Sequence, residues 1–258
     1  MLGIALLQTH ELTVEIAGYT VCQKFNLAFY PGQCWGMLGI NGVGKTTLIH
    51  ALAGLHPVQT GDVLLGGVSR MRLGRKACAR YLGVVFQDEP DLFPNTVLEV
   101  TLASRHPHLG YFGRETEKDY ALAEAALATV GLTGLEHRAI TTLSGGEHQR
   151  LRIAAFLAQD TLVGLLDEPT NHLDPSHQIR LLSFLRERTR IRGGALLMAL
   201  HDVNLVARFC DHCLLLFGNG EINAGPTNEM LTTTTLQRLY HHPMIAKITP
   251  WGKGWLPA

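Results

Sequence analysis

The chain has 258 residues, 46% of them apolar and 17% charged. That composition excludes a disordered or low-complexity polypeptide and can bury a large core without disulfide or metal staples. Lysine plus arginine equals aspartate plus glutamate at 22 each, so the balance carries no footprint for nucleic acid or an anionic membrane surface. No run approaches the eighteen apolar residues of a membrane span, and the chain reads as soluble, with any membrane role acting through a partner.

Met1 to Leu7 lack the basic start and long apolar run of a secretory leader and read as a first strand. Up to about residue 35, the strand-like runs Leu12 to Ile16 and Phe25 to Phe29 alternate with the turn signals Ala17-Gly18 and Pro31-Gly32. The mostly apolar run Gln33 to Leu38 reads as a buried strand. It leads into Gly39-Ile40-Asn41-Gly42-Val43-Gly44-Lys45-Thr46-Thr47, which fits the phosphate-loop pattern G-x-x-x-x-G-K-[ST] without a mismatch. Thr46 to Gly54 has helical apolar spacing and stops at a C-cap glycine. Strand, glycine-rich turn and helix N-terminus together make an anion trap of converging N–H groups and helix dipole. Gly39, Asn41, Gly42, Val43, Gly44, Lys45, Thr46 and Thr47 are therefore the candidate nucleotide contacts. Lys45 would pair with the β- and γ-phosphates, and the Thr46 hydroxyl would join the shell of a Mg²⁺ ion.

Asp62 to Gly67 reads as a strand and turn, Ser69 to Arg80 as a basic helical stretch, and Tyr81 to Phe86 as a buried strand ending at Gln87. Residues 88–140 then lose the strand pattern. Pro90, Pro94 and Pro107 break the first half, and Glu115 to Val130 is an alanine-rich amphipathic helix. This is read as a helical insertion between two parts of one α/β core. From about 145 the rhythm resumes: a helix to Leu157, a strand at Leu162 to Leu166, a helix from Pro175 to about Arg190, and a strand at Ala195 to Leu200. A short helix from Asp202 and a strand at Cys213 to Phe217 follow. Such alternation predicts a largely parallel sheet covered by helices. From Thr232 the chain reads as a small helical cap and a Gly/Pro-rich tail.

Five cysteines is an odd count, and the default is a reducing cytoplasm. Cys210 and Cys213 have C-x-x-C spacing around His212, but no thioredoxin-like context or further ligands accompany them. They flank the apolar run Leu214 to Phe217 and read as buried thiols.

Val163 to Leu166 is an apolar strand running straight into Asp167 and Glu168. Acids at the carboxyl end of a parallel strand lie where an α/β fold keeps its ligands. Successive strand residues point to opposite sides, so the pair can divide two roles. Asp167 suits the metal shell, and Glu168 could polarise a water aimed at the γ-phosphate. Leu143-Ser144-Gly145-Gly146-Glu147 opens a helix, with Ser144 able to cap and the glycines permitting close approach. Gln87, at a strand end, could reach the metal or the lytic water. His201, after the run Ala195 to Leu200, could hydrogen-bond the γ-phosphate.

Taken in order, these stretches resemble the Walker A, Q-loop, signature, Walker B, D-loop (Asn171-His172-Leu173-Asp174) and switch-histidine motifs of the ATP-binding cassette (ABC) ATPases, over essentially the whole chain. The resemblance implies a P-loop NTPase fold of one domain, 1–258. Its core would span 1–87 and 141–231, with a mostly parallel sheet and an N-terminal antiparallel β-subdomain; 88–140 would form an α-helical subdomain and 232–258 a tail. It implies ATP hydrolysis with Mg²⁺ held by Thr46, Gln87 and Asp167, and catalysis by Glu168, His201 and Gln87. Two copies would pair head to tail, each ATP lying between one Walker A and the partner's signature, which Ser144, Gly145 and Gly146 would contribute, while Asp174 couples the two sites. The family stacks an aromatic on adenine upstream of Walker A; Tyr19 is the nearest candidate, although a gapless count puts Ile16 there.

Leu102-Ala103-Ser104-Arg105-His106-Pro107-His108-Leu109-Gly110 is similar to the Gly-Arg-x-Pro-His stretch of importers of ferric siderophores, haem and cobalamin, with Ser104 in place of the usual Gly. Residues 167–174, 201–208 and 218–226 add agreement. The resemblance implies a peripheral ATPase on the cytoplasmic face of the inner membrane. It would drive a separate transmembrane permease, indirectly serve a substrate-binding protein, and bind no nucleic acid. The alternative is a soluble ABC ATPase of the translation-factor or DNA-repair type. The first carries two cassettes and a charged linker, the second a long coiled coil, and neither feature is present.

Overall fold

A computed structural model describes residues 3–87, 94–110, 113–250 and 252–258. The chain opens with two long antiparallel strands, β1 (Leu7–Ile16) and β2 (Tyr19–Phe29). The first strand therefore begins at Leu7 and not at the terminus. Expected there from residue 1, it forms only where side chains can alternate between core and solvent, as Leu7, Thr9, Leu12 and Val14 do. β3 (Cys34–Leu38) is buried along its length and delivers the chain to helix α1 (Lys45–Ala53). β4 (Thr60–Leu65) and the short β5 (Val68–Ser69) join β1 and β2 in a four-stranded antiparallel sheet, ordered β2-β1-β4-β5.

The predicted helix over Ser69 to Arg80 shrinks to α2 (Arg75–Tyr81), entered through Gly74 in an extended conformation. β6 (Leu82–Val85) follows, and Pro90 lies outside the described residues. The expectation of a broken first half for the insertion is corrected by α3 (Val97–Ala103), which follows Pro94. A capping box at Thr96 and Glu99 starts it, satisfying two orphan N–H groups of the first turn. The alanine-rich helix is α4 (Glu117–Thr129), and both α3 and α4 pack on α5 (Gly145–Gln159). Arg105 locks this layer: its Nε donates to Asp119 Oδ1 at 2.9 Å and its guanidinium donates to the Ala158 carbonyl at 2.7 Å, all buried.

The remaining elements are β7 (Val163–Asp167), α6 (Pro175–Arg192), β8 (Ala195–Ala199), α7 (Val203–Phe209), β9 (His212–Gly218), β10 (Glu221–Pro226), α8 (Thr227–Met230) and α9 (Thr233–Tyr240). The predicted Gly/Pro tail is instead a hairpin of β11 (Met244–Thr249) and β12 (Gly252–Pro257). Trp255 is buried, and its backbone exchanges hydrogen bonds with the Asn204 side chain at 2.7 and 3.1 Å. Glycine content made this segment look unpaired, but an edge hairpin needs few side chains once one aromatic anchors it.

The central sheet has the order β10-β9-β3-β8-β7-β6, parallel except for β10. Its inner strands β3, β8 and β7 are buried along their whole length, as parallel strands covered on both faces must be. Neighbouring residues alternate between two cores. Cys34, Leu38, Leu166, Met198 and Leu215 face the layer of α5, α6 and α7; Trp35, Met37, Leu165, Leu197 and Leu214 face α1 and the antiparallel sheet. Gly83 and Gly164 let α5 settle on this sheet. A Cβ on either would lie 2.9 or 2.7 Å from the Phe156 ring. The α/β fold with an antiparallel N-terminal sheet and a mostly parallel core sheet is the one expected.

Candidate functional site

Four adjacent parallel strands end on one rim and carry the predicted chemistry. β3 leads into the phosphate loop, β8 into His201, β7 into Asp167-Glu168, and β6 to Gln87. Chain order would put these far apart; strand order places them side by side, at the carboxyl ends where such sheets bind ligands.

The loop's backbone requires its glycines. Gly44 sits at φ 104, and a Cβ there would lie 2.7 Å from Val21 on β2. At Gly39 a Cβ would meet Val43 at 2.8 Å and the Leu216 carbonyl at 2.9 Å. Lys45 opens α1 and is buried, with Nζ donating to the carbonyls of Gly39 at 2.8 Å and Ile40 at 3.2 Å. Burial lowers its pKa, and the carboxylates of Glu168 and Asp167 oppose that shift. The ammonium is thus held over its own loop, where a triphosphate's oxygens would be gripped.

Asp167 is buried, and neither carboxylate oxygen has a hydrogen-bond partner among the described residues. Burial raises its pKa; the Thr46 side chain, His50 and Lys45 pull the other way. An orphaned, buried carboxylate beside a hydroxyl is what a hard cation with oxygen ligands would satisfy, so Asp167 and Thr46 fit Mg²⁺. No cluster of three or more His, Cys, Asp or Glu suited to a metal exists among the described residues. Gln87 Nε2 donates to Glu168 Oε2 at 3.0 Å, which leaves its Oε1, the amide's ligating atom, for a cation.

Glu168 is the hub. His201 Nε2 lies 2.5 Å from Oε1, and Oε2 accepts from Gln87 and from Asn171 Nδ2. Its backbone has φ 50, a conformation costly for a side-chain-bearing residue and common at functional sites. Its carbonyl is pinned by the Asn171 amide at 3.2 Å and by Gln149 Nε2 at 3.3 Å, and its own amide donates to the Ala199 carbonyl at 3.1 Å. Gln149 and Arg152 escaped the sequence reading. Arg152 on α5 donates to the Gln87 carbonyl at 2.8 Å and to Gln149 Oε1 at 3.4 Å, tying the end of β6 to the backbone of Glu168. The available signal was a glutamine in the buried stripe of α5, at i, i+4, i+7 and i+8 with Ile153, Phe156 and Leu157.

Ser144 caps α5: its Oγ accepts from Glu147 N at 3.3 Å, and Glu147 Oε2 accepts from Ser144 N at 2.7 Å. Gly145 and Gly146 press against the next motif, a Cβ on Gly146 falling 3.1 Å from the His172 carbonyl. Asp174 caps α6 and accepts from Ser176 N and Oγ, His177 N and His177 Nδ1, which hold its carboxyl well below the usual range. Among the described residues neither Ser144 nor Asp174 is hydrogen-bonded to the phosphate loop, and both are exposed. Tyr19 faces Ile16 across the β1–β2 hairpin. Its hydroxyl accepts from the Asn219 amide at 3.2 Å, at the turn where a Cβ on Gly218 would approach Val43 at 3.9 Å. Tyr19 is thus beside the loop, with its polar end engaged.

The family profile described as "ABC transporter" matches residues 22–171. The ferric enterobactin transport ATP-binding protein FepC of Escherichia coli strain K12 is 35% identical over 238 residues, covering 92% of this chain and 88% of that protein. The cobalamin import ATP-binding protein BtuD of Halobacterium salinarum is 37% identical over 229 residues, or 89% of this chain. The aligned part spans only 57% of that relative's length. A solved structure of a proposed metal-chelate type ABC transporter, in an inward-facing conformation, superposes with TM-score 0.84 at 28% identity over 98% of both chains.

Proposed function

The chain belongs to the ABC transporter ATP-binding family, and from that premise we propose that it is the ATP-hydrolysing subunit of an importer of metal chelates such as ferric siderophores, haem or cobalamin. The observation that carries this reading is the convergence of the phosphate loop, Asp167, Glu168, Gln87 and His201 on one rim of the sheet. Main-chain amides from Gly39 to Thr47 grip the triphosphate, with Lys45 neutralising it. Thr46 and Asp167 would hold a Mg²⁺ ion, which would supply charge neutralisation at the phosphates. Glu168 accepts the proton of the attacking water. His201 and Gln87, both on its carboxylate, orient it.

Ser144 and Gly145 lie exposed at the start of α5 and Gly146 is half-buried beside them, a segment suited to the phosphates of a second copy, with Asp174 suited to coupling the paired sites. Tyr19 is retained as the adenine contact. The helical segment 88–140 carries the Arg105-His106-Pro107-His108 stretch and is the surface offered to a transmembrane permease, with 1–87 and 141–231 as the core and 232–258 as an appendage. No helix among the described residues is long and apolar enough to cross a membrane. In the proposed role the chain sits peripherally, on the cytoplasmic face beside its permease. The relatives' names, for enterobactin and cobalamin uptake, support chelates as cargo.

The test is uptake. Cells lacking the chain should lose accumulation of one chelate and regain it from the wild-type gene but not from Glu168→Gln. Unchanged uptake of every chelate, with the chain instead co-purifying with ribosomes or DNA, would overturn the reading in favour of a soluble ABC ATPase.

A further inference from the structure

A cavity of about 350 Å³ lies between the end of α4, the outer side of α5 and the first half of α6. Its floor and walls include Ile153, Leu173 and Phe184, and its charged groups are Arg150, His177 and Arg180. No acidic side chain lines it. Arg150 is one of the lining residues, and its Nε is buried with no hydrogen-bond partner among the described residues. Glu147, one turn earlier and within electrostatic reach of Arg150, is already bound by Ser144 and Arg138. A buried guanidinium donor left unpaired is costly, and cationic groups over an apolar floor select one kind of occupant. The volume falls within the range of small-molecule sites.

We propose that this cavity is a binding site for an apolar carboxylate of medium chain length. Its carboxylate pairs with Arg150 and Arg180, and its hydrocarbon lies against Ile153, Leu173 and Phe184. The site has a consequence that rests on the dimer reading above. Leu173 and His177 flank Asp174, and His177 Nδ1 is 2.6 Å from Asp174 Oδ2. An occupant therefore shares a wall with the residue assigned to couple the two nucleotide sites, and filling the cavity should weaken ATP-driven pairing.

The probe is octanoate, titrated calorimetrically into the full chain without nucleotide, so the outcome is independent of whether the chain hydrolyses ATP or dimerises. Octanoate should bind at one saturable site, with octanol and acetate at least tenfold weaker, because each lacks one half of the recognition. Arg180→Gln, at an exposed position, and Arg150→Gln should each weaken octanoate about tenfold and leave octanol unchanged. No binding by octanoate, or wild-type octanoate affinity in both variants, would overturn the site. Saturating octanoate should also lower ATP-driven pairing several-fold in the wild type and not in Arg180→Gln; pairing unaffected in a chain that does bind octanoate would overturn the coupling.

Discussion

His201 Nε2 stands 2.5 Å from Glu168 Oε1, joining the end of β8 to the end of β7 across one strand spacing. The histidine is half exposed while the glutamate is buried, so the contact fixes a buried carboxylate from the solvent side. With substrate bound, the same ring can donate to the γ-phosphate oxygen. His201→Ala should lower kcat by about 10²–10³-fold, the typical cost of losing one preorganised donor. Steady-state kinetics should show the loss in kcat with KM nearly unchanged.

Lys45 is buried against its own loop, with burial lowering its pKa against the pull of two carboxylates. Lys45→Ala removes charge-assisted hydrogen bonds to phosphate, each worth about 1.5–3 kcal/mol. Nucleotide affinity should fall about tenfold to a hundredfold in an equilibrium titration. Undiminished affinity would remove the loop from the binding site.

Asp119 carries a pH-dependent share of stability in the helical layer. The Thr116 side chain, its amide and Arg105 hold its carboxyl at about 2, below the roughly 3.9 of an unfolded aspartate. A depressed folded value stabilises the protein fully above the unfolded one and stops doing so as pH falls through the folded one. Asp119→Asn should therefore melt well below the wild type at pH 7, by about 3 kcal/mol if the buried Arg105 is left unpaired. The two melting curves should converge as pH drops from about 4 toward 2.

Burial pushes the thiols of Cys22 and Cys34 up to about 11 and that of Cys213 to about 12, and raises that of Cys210 well above the ordinary thiol range. Only Cys78 is partly exposed. A disulfide reagent at pH 8 should titrate one thiol in the native chain and five after denaturation. Rapid native reaction of two more would revive a redox role for Cys210 and Cys213.

The phosphate loop and the Asp167-Glu168 strand end were readable because each couples a backbone demand to a chemical one. Glycines stand where Val21 and Leu216 leave no room for a Cβ, and acids stop an apolar run at a sheet rim. Less legible were contacts set by the third dimension. Gln149 looks like an ordinary helix polar residue until α5 is laid on the sheet and its amide meets the Glu168 carbonyl. The short α3 owes its existence to a capping box and to packing on α5 more than to length, and so evades periodicity. The β11–β12 hairpin depends on Trp255 reaching Asn204, fifty-one residues away in the chain. The hydrogen bonds of Ser144 and Asp174 close within their own turns, so the roles proposed for them rest on a second copy.

The central claim is that one copy grips ATP while a second copy's signature segment completes the site, with Glu168 as the base. Light scattering of Glu168→Gln with Mg²⁺ and ATP addresses it most directly. Loss of the base should slow turnover about 10²–10⁴-fold and trap the paired state, giving twice the monomer mass, which Ser144→Arg in the same background should abolish. A Glu168→Gln protein that binds ATP yet stays at the monomer mass, or that hydrolyses at the wild-type rate, would contradict the claim.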